Sequence, residues 1–174
     1  ASALSAAFDG TNYLVPIQGD DNSEYALTAQ FISKAGELSG NRIDLNAYGP
    51  VAPIAIFDGT NYLLVWVDAE HHLYARFLSP SGQWQGNAIL IASDVIFDLR
   101  PFNVSYSDTN FLVAYVKSDF GLYGQLLDKS GNLNGSSFFI NNFGITDPQD
   151  EGSKEFSMAS DGTNYLIVWF NHGG

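Results

Sequence analysis

Short apolar runs alternate with turns rich in Gly, Asn, Asp and Ser along the whole chain. Between residues 51 and 99 this pattern predicts four strands: Pro53–Phe57, Asn61–Val67, Leu73–Leu78 and Asn87–Ile91. The second is apolar on both sides, Tyr62-Leu63-Leu64-Val65-Trp66-Val67, as expected of a strand covered on both faces. Phe111–Val116 and Tyr165–Phe170 read the same way. The third alternates, with Leu73, Ala75 and Phe77 on one side and Tyr74, Arg76 and Leu78 on the other, so one of its faces is expected to be wetter. The 3.6-residue period of a helix occurs nowhere in the chain, and no helix is predicted.

The pattern recurs. The words FDGTNYLV at Phe8, FDGTNYLL at Phe57 and SDGTNYLI at Ser160 are joined by a worn copy, YSDTNFLV, at Tyr106. Their asparagines, Asn12, Asn61, Asn110 and Asn164, are 49, 49 and 54 residues apart. A second word follows the first three: LTAQFISKAGELSG from Leu27, LYARFLSPSGQWQG from Leu73 and LYGQLLDKSGNLNG from Leu122. A period near 50 residues with four strands in each predicts a radial or solenoid array. A β-trefoil has repeats of similar length but only three of them, and four D-G-T-N words count against it.

The D-G-T-N-Y-L-V-V-W stretch, the L-Y-x-x-x-L/F that follows and the S-x-S-G-x-x-x-G turn resemble the repeats of bacterial extracellular β-propeller proteins. The resemblance covers nearly the whole chain. It implies an all-β, β-propeller-like array of four-stranded antiparallel blades, with about three and a half repeats in one repeat domain over 1–174. The repeats fall at approximately 1–50, 51–99, 100–152 and, in part, 153–174. It implies no single activity, because such propellers serve in adhesion, sugar binding and assembly as well as in enzymes.

Loop lengths divide into two classes. The connection from strand one to two (D-G-T-N) and that from three to four (SKAG, SPSG, DKSG) keep their length. From the D-G-T-N Asn to the Gly of the second word is 24 residues in the first repeat and 21 in the next two. From Gly40, Gly86 and Gly135 to the following Asn is 21, 24 and 29 residues. In an up-and-down blade these variable connections emerge on one rim, where function is expected.

Composition narrows the chemistry. A formal charge of −12 repels nucleic acid and anionic lipid, and no apolar run is long enough for a membrane span, so neither nucleic acid nor membrane insertion is expected. Without Cys there is no disulfide framework and no thiolate nucleophile. Few Lys, many Asn, Ser, Thr, Gly and Tyr, and the low pI resemble secreted all-β proteins, so an extracellular or cell-surface location is expected. The sequons at Asn103 and Asn134 are of a kind that Asn- and Ser-rich chains produce by chance.

The four D-G-T-N words read as turns before they read as sites. Calcium needs ~6–8 oxygen ligands, and the third copy has Ser107 in the slot of Asp9, Asp58 and Asp161, with Asp108 in that of Gly10, Gly59 and Gly162. A turn tolerates that exchange, since Asp accepts positive φ; the asparagines Asn12, Asn61, Asn110 and Asn164 are expected to bond their own turn backbone.

Binding residues are therefore sought on the variable rim: Asp20, Asp21 and Glu24; Asp68, Glu70, His71 and His72; Asp119; and Asp147, Asp150 and Glu151. The acidic loops could hold calcium or orient sugar hydroxyls. Adjacent His71 and His72 on an extended segment would point to opposite faces. Trp66, Tyr115 and Trp169, with Ile17 in the first copy, recur at one position and read as packing. Trp84, matched to Glu37 and Asn132, reads as an exposed contact in a turn.

No catalytic fingerprint is present. The expected function is a non-catalytic secreted or surface module that binds carbohydrate or protein or serves as an assembly subunit. A glycan-active hydrolase or lyase using rim carboxylates is the alternative. No cofactor is expected beyond possible calcium, and strand edges left unpaired predict self-association.

Overall fold

The structure, a computed structural model, describes residues 5–19, 23–49, 53–96, 102–142 and 156–169. Asp20, Asp21, Asp147, Asp150 and Glu151 lie outside the described residues. Among those described the protein is all-β, with no helix, and every strand pairing is antiparallel. The chain divides into two compact units, Ala1–Ser93 and Asp94–Gly174.

The first unit holds two four-stranded meanders. One is β1 (Ala7–Phe8), β2 (Asn12–Gln18), β3 (Ala26–Ser33) and β4 (Leu38–Tyr48). The other is β5 (Ile54–Phe57), β6 (Tyr62–Val67), β7 (Leu73–Leu78) and β8 (Trp84–Ala92). Leu14, Leu27 and Phe31 of the first sheet share a core with Tyr62, Leu64 and Trp66 of the second. All six residues of β6 are buried, and in β7 Leu73, Ala75 and Phe77 are buried while Tyr74 and Arg76 are only partly so, as the alternation predicts; Leu78, expected on the wetter face, is instead buried in the core shared with the first sheet.

The second unit holds β9 (Phe102–Tyr106), β10 (Asn110–Val116), β11 (Gly121–Asp128) and β12 (Leu133–Asn142) in one sheet. The pair β13 (Phe156–Ser160) and β14 (Tyr165–Trp169) forms a two-stranded sheet. Ala114, Val116 and Leu122 pack with Phe156, and Met158 and Ile167 lie against them. Of the recurring aromatics, Trp66 and Tyr115 are buried, whereas Trp169 is 41% exposed.

The fourth strands are longer than the sequence predicts: β8 starts at Trp84, not Asn87. They continue through Gly40, Gly86 and Gly135 by means of a β-bulge, with these glycines at φ 69°, 65° and 73°. The bulge falls opposite Gln30, Arg76 and Gln125, where the ladder shifts register in each four-stranded sheet. The same residue then satisfies the displaced carbonyl. Gln30 Nε2 donates to Gly40 O (3.3 Å), Arg76 Nε to Gly86 O (2.9 Å) and Gln125 Nε2 to Gly135 O (3.0 Å).

The D-G-T-N words are turns, but Asp is the residue that closes them, not Asn. Asp9 Oδ1 accepts from the N–H groups of Thr11 and Asn12, each at 2.7 Å, and Asp58 and Asp161 do the same in their copies. Gly10, Gly59 and Gly162 take φ 98°, 91° and 94°, where a Cβ is strained. In the third copy Ser107 Oγ accepts from Asn110 N at 3.2 Å in place of the carboxylate. Asp108 is not among the residues of positive φ, so this turn takes a different backbone path from the one its tolerance of positive φ suggests.

The tyrosine that follows the word ties successive copies together. Tyr62 Oη donates to Asn12 O at 3.1 Å, and Tyr165 Oη donates to Asn110 O at 2.6 Å and lies within hydrogen-bond distance, 2.8 Å, of Ser107 Oγ. Each bond spans one repeat within its unit.

Candidate functional site

The strand-two-to-three connections hold most of the described rim residues. Glu24 is exposed beside the turn in which Ser23 Oγ accepts from Tyr25 N. In the first unit β6 and β7 are joined by Asp68–His72, a tight turn closed by Asp68 N donating to His72 O at 2.9 Å. Asp68 Oδ1 accepts from Glu70 N and His72 N, both at 2.9 Å. His71 sits at φ 69°, so the segment is a turn and not the extended stretch that would set the two histidines on opposite faces.

This turn brings three of the expected residues together. His72 Nδ1 lies 3.3 Å from Asp68 Oδ2 and 3.7 Å from Glu70 Oε2. Only the donors of Asp68, Glu70 and His72 cluster in this way among the described residues, and His71 does not join them. The i, i+2, i+4 spacing of these residues was visible in the sequence. A strand reading hid it, because alternation puts i+1 on the opposite face without saying that a turn gathers the three side chains on one side.

The second unit repeats the turn with different chemistry. Lys117 N donates to Gly121 O at 3.1 Å, and Phe120 takes φ 60°. Lys117, Asp119 and Gly121 stand where Asp68, Glu70 and His72 stand in the first unit. Asp119 accepts from Gly121 N at 2.9 Å and from Tyr123 Oη at 2.7 Å. The Tyr123 hydroxyl, above all, holds the Asp119 carboxyl below its ordinary range. Asp119 therefore acts as an internal hydrogen-bond acceptor.

A cavity of about 410 Å³ opens at the other edge of the first unit, between β4 and the β7–β8 turn. Phe31, Ile43 and Trp84 supply apolar lining, while Arg42, Asp44 and Gln83 supply polar groups. Gly82 brings the turn close to the floor, its Cβ position 3.5 Å from Phe31 and 3.6 Å from Ile43. Arg76, anchored through Nε on Gly86 O, lays its guanidinium over the Trp84 ring at 4.7 Å and fixes the indole.

Trp84 is thus half-buried in a strand, not exposed in a turn. The ladder pairs Leu78 with Trp84, Ile32 with Leu38 and Leu127 with Leu133, so its counterparts are Leu38 and Leu133, one position beyond Glu37 and Asn132. No aromatic residue stands at either. Arg42 and Asp44 were missed in the sequence because they lie within a strand, with no loop signal to mark them.

In comparison with known proteins, no family model matches the chain and no curated protein matches it.

Proposed function

We propose that this protein is a non-catalytic, secreted or surface-exposed β-repeat module that binds carbohydrate, its four-stranded sheets serving as blades of a propeller-type array. The observation that carries this reading is the cavity beside Trp84. Its volume of about 410 Å³ suits a saccharide of one or two rings. A sugar offers an apolar face of C–H groups and a perimeter of hydroxyls. An indole held rigid by Arg76 matches the first. The guanidinium of Arg42, the carboxylate of Asp44 and the amide of Gln83 match the second, as donors, acceptor and both. The site draws on two successive sheets, β4 and β8 with its preceding turn, which is how a repeat array makes one repeat differ from the rest.

The test is a glycan array probed with the intact chain and with Trp84→Ala. Binding of a defined glycan set, weakened about tenfold or more by Trp84→Ala, is expected. Binding untouched by Trp84→Ala but lost in the triple variant Asp20→Ala, Asp21→Ala, Glu24→Ala would move the site to the variable rim. Release of reducing sugar from a bound glycan would replace the non-catalytic reading with that of a hydrolase.

A further inference from the structure

We propose that the Asp68–His72 turn is a binding site for a divalent first-row transition ion, held by Asp68 Oδ2, a Glu70 carboxylate oxygen and His72 Nδ1. These atoms all lie within 4.8 Å of one another, with His72 Nδ1 at 3.3 Å from Asp68 and 3.7 Å from Glu70. Ligands about 2.0–2.2 Å from a common ion stand ~3–3.5 Å apart, so small torsional adjustments close the set.

The two carboxylate oxygens of Asp68 divide the work. Oδ1 holds the turn through the N–H groups of Glu70 and His72, which leaves Oδ2 facing the imidazole. The His72 ring meets Tyr74 edge-on at 6.1 Å, and Tyr74 stacks on buried Trp66 at 5.9 Å, so the ligand with the fewest alternatives is held by packing. Glu70 is exposed and free to swing.

The second unit serves as an internal control. It builds the same turn with Lys117, Asp119 and Gly121, a set with one carboxylate, one cation and no imidazole. The backbone therefore does not require Asp68, Glu70 and His72 in these places. An imidazole with two carboxylates favours zinc, copper or nickel over calcium, which takes oxygen ligands alone. Three protein ligands leave at least one position open to solvent or to an oxygen of a bound partner.

Isothermal titration of the intact chain with zinc chloride tests this, with calcium chloride as competitor. One zinc per chain is expected, undisturbed by millimolar calcium. His72→Gln and Glu70→Gln are expected to weaken zinc binding about tenfold or more, and His71→Gln to change it by less than about twofold. In the unaltered protein the His72 ring resonances should shift with the first equivalent of zinc, ahead of those of His71 and His172. Unchanged affinity in His72→Gln, displacement of zinc by calcium, equal loss in His71→Gln, or no binding would each overturn the proposal.

Discussion

Tyr62 and Tyr165 carry much of the register between copies through a single atom each. Burial first, and then the neighbouring Asp9 carboxylate, raise the Tyr62 hydroxyl above its ordinary 10, so it remains a donor across the accessible pH range. Tyr62→Phe removes the bond to Asn12 O and should cost about 1 kcal/mol in chemical denaturation, with little change in the fold. The turn carboxylates respond to pH. Burial pushes Asp9 upward, but the N–H groups of Asn12 and Thr11 and the Tyr62 hydroxyl outweigh it and hold the carboxyl below 3.8. Asp161 is lowered in the same direction by Asn164 and Thr163 N–H. Because these folded-state values are depressed, the stability they confer is complete above 3.8 and lost as pH falls below it. Thermal unfolding followed from pH 6 downward should therefore show a midpoint that declines below about pH 4, less steeply in Asp161→Asn. The sequence marked these turns clearly, since D-G demands positive φ. The backbone bonds expected of Asn are accepted by Asp instead; both side chains can close such a turn, so the residue types alone do not decide between them.

At the level of strands and loops, the bulges explain why the second word reads A-Q-F, A-R-F and G-Q-L. A polar side chain in an otherwise apolar strand is needed where the partner strand gains a residue and turns a carbonyl out of the ladder. That pairing was not legible, since it links residues ten positions apart across a turn. Close backbone approach sets a second constraint. A Cβ on Gly49 would lie 2.0 Å from Val67 O, a backbone atom at the end of β6. Gly49 is also bonded to Tyr25 O and Gln18 Nε2, which limits its retreat. Gly49→Ala should destabilise the chain by about 2 kcal/mol, measured by urea unfolding, whereas Gly86→Ala meets no atom and suffers only from its positive φ. Strand existence and order were readable from alternation. The bulged fourth strands were underestimated because their outer residues are exposed and carry no hydrophobic signal.

For the molecule as a whole, the repeat period was readable because each copy repeats the same apolar strand-two pattern beside a D-G-T-N turn, although only β6 and β10 bury that strand almost throughout, while β14, read as covered on both faces, is largely exposed. The two proposed sites were less readable, because each depends on a departure from the repeat: Trp84 where Leu38 and Leu133 stand, and His72 where Gly121 stands. Edge strand β14 has β13 as its only strand partner among the described residues, and it exposes Leu166, Val168 and Trp169. The self-association expected from the sequence would use such an edge. Light scattering should show mass rising with concentration, and Leu166→Glu with Val168→Glu should suppress the rise. The chain has three tryptophans, Trp66, Trp84 and Trp169, and hence three indole N–H resonances. With a glycan selected on the array, the Trp84 indole resonance, assigned through Trp84→Phe, should shift on titration while that of buried Trp66 stays in place. A bound glycan that leaves the Trp84 resonance unmoved would contradict the assignment of carbohydrate binding to this cavity.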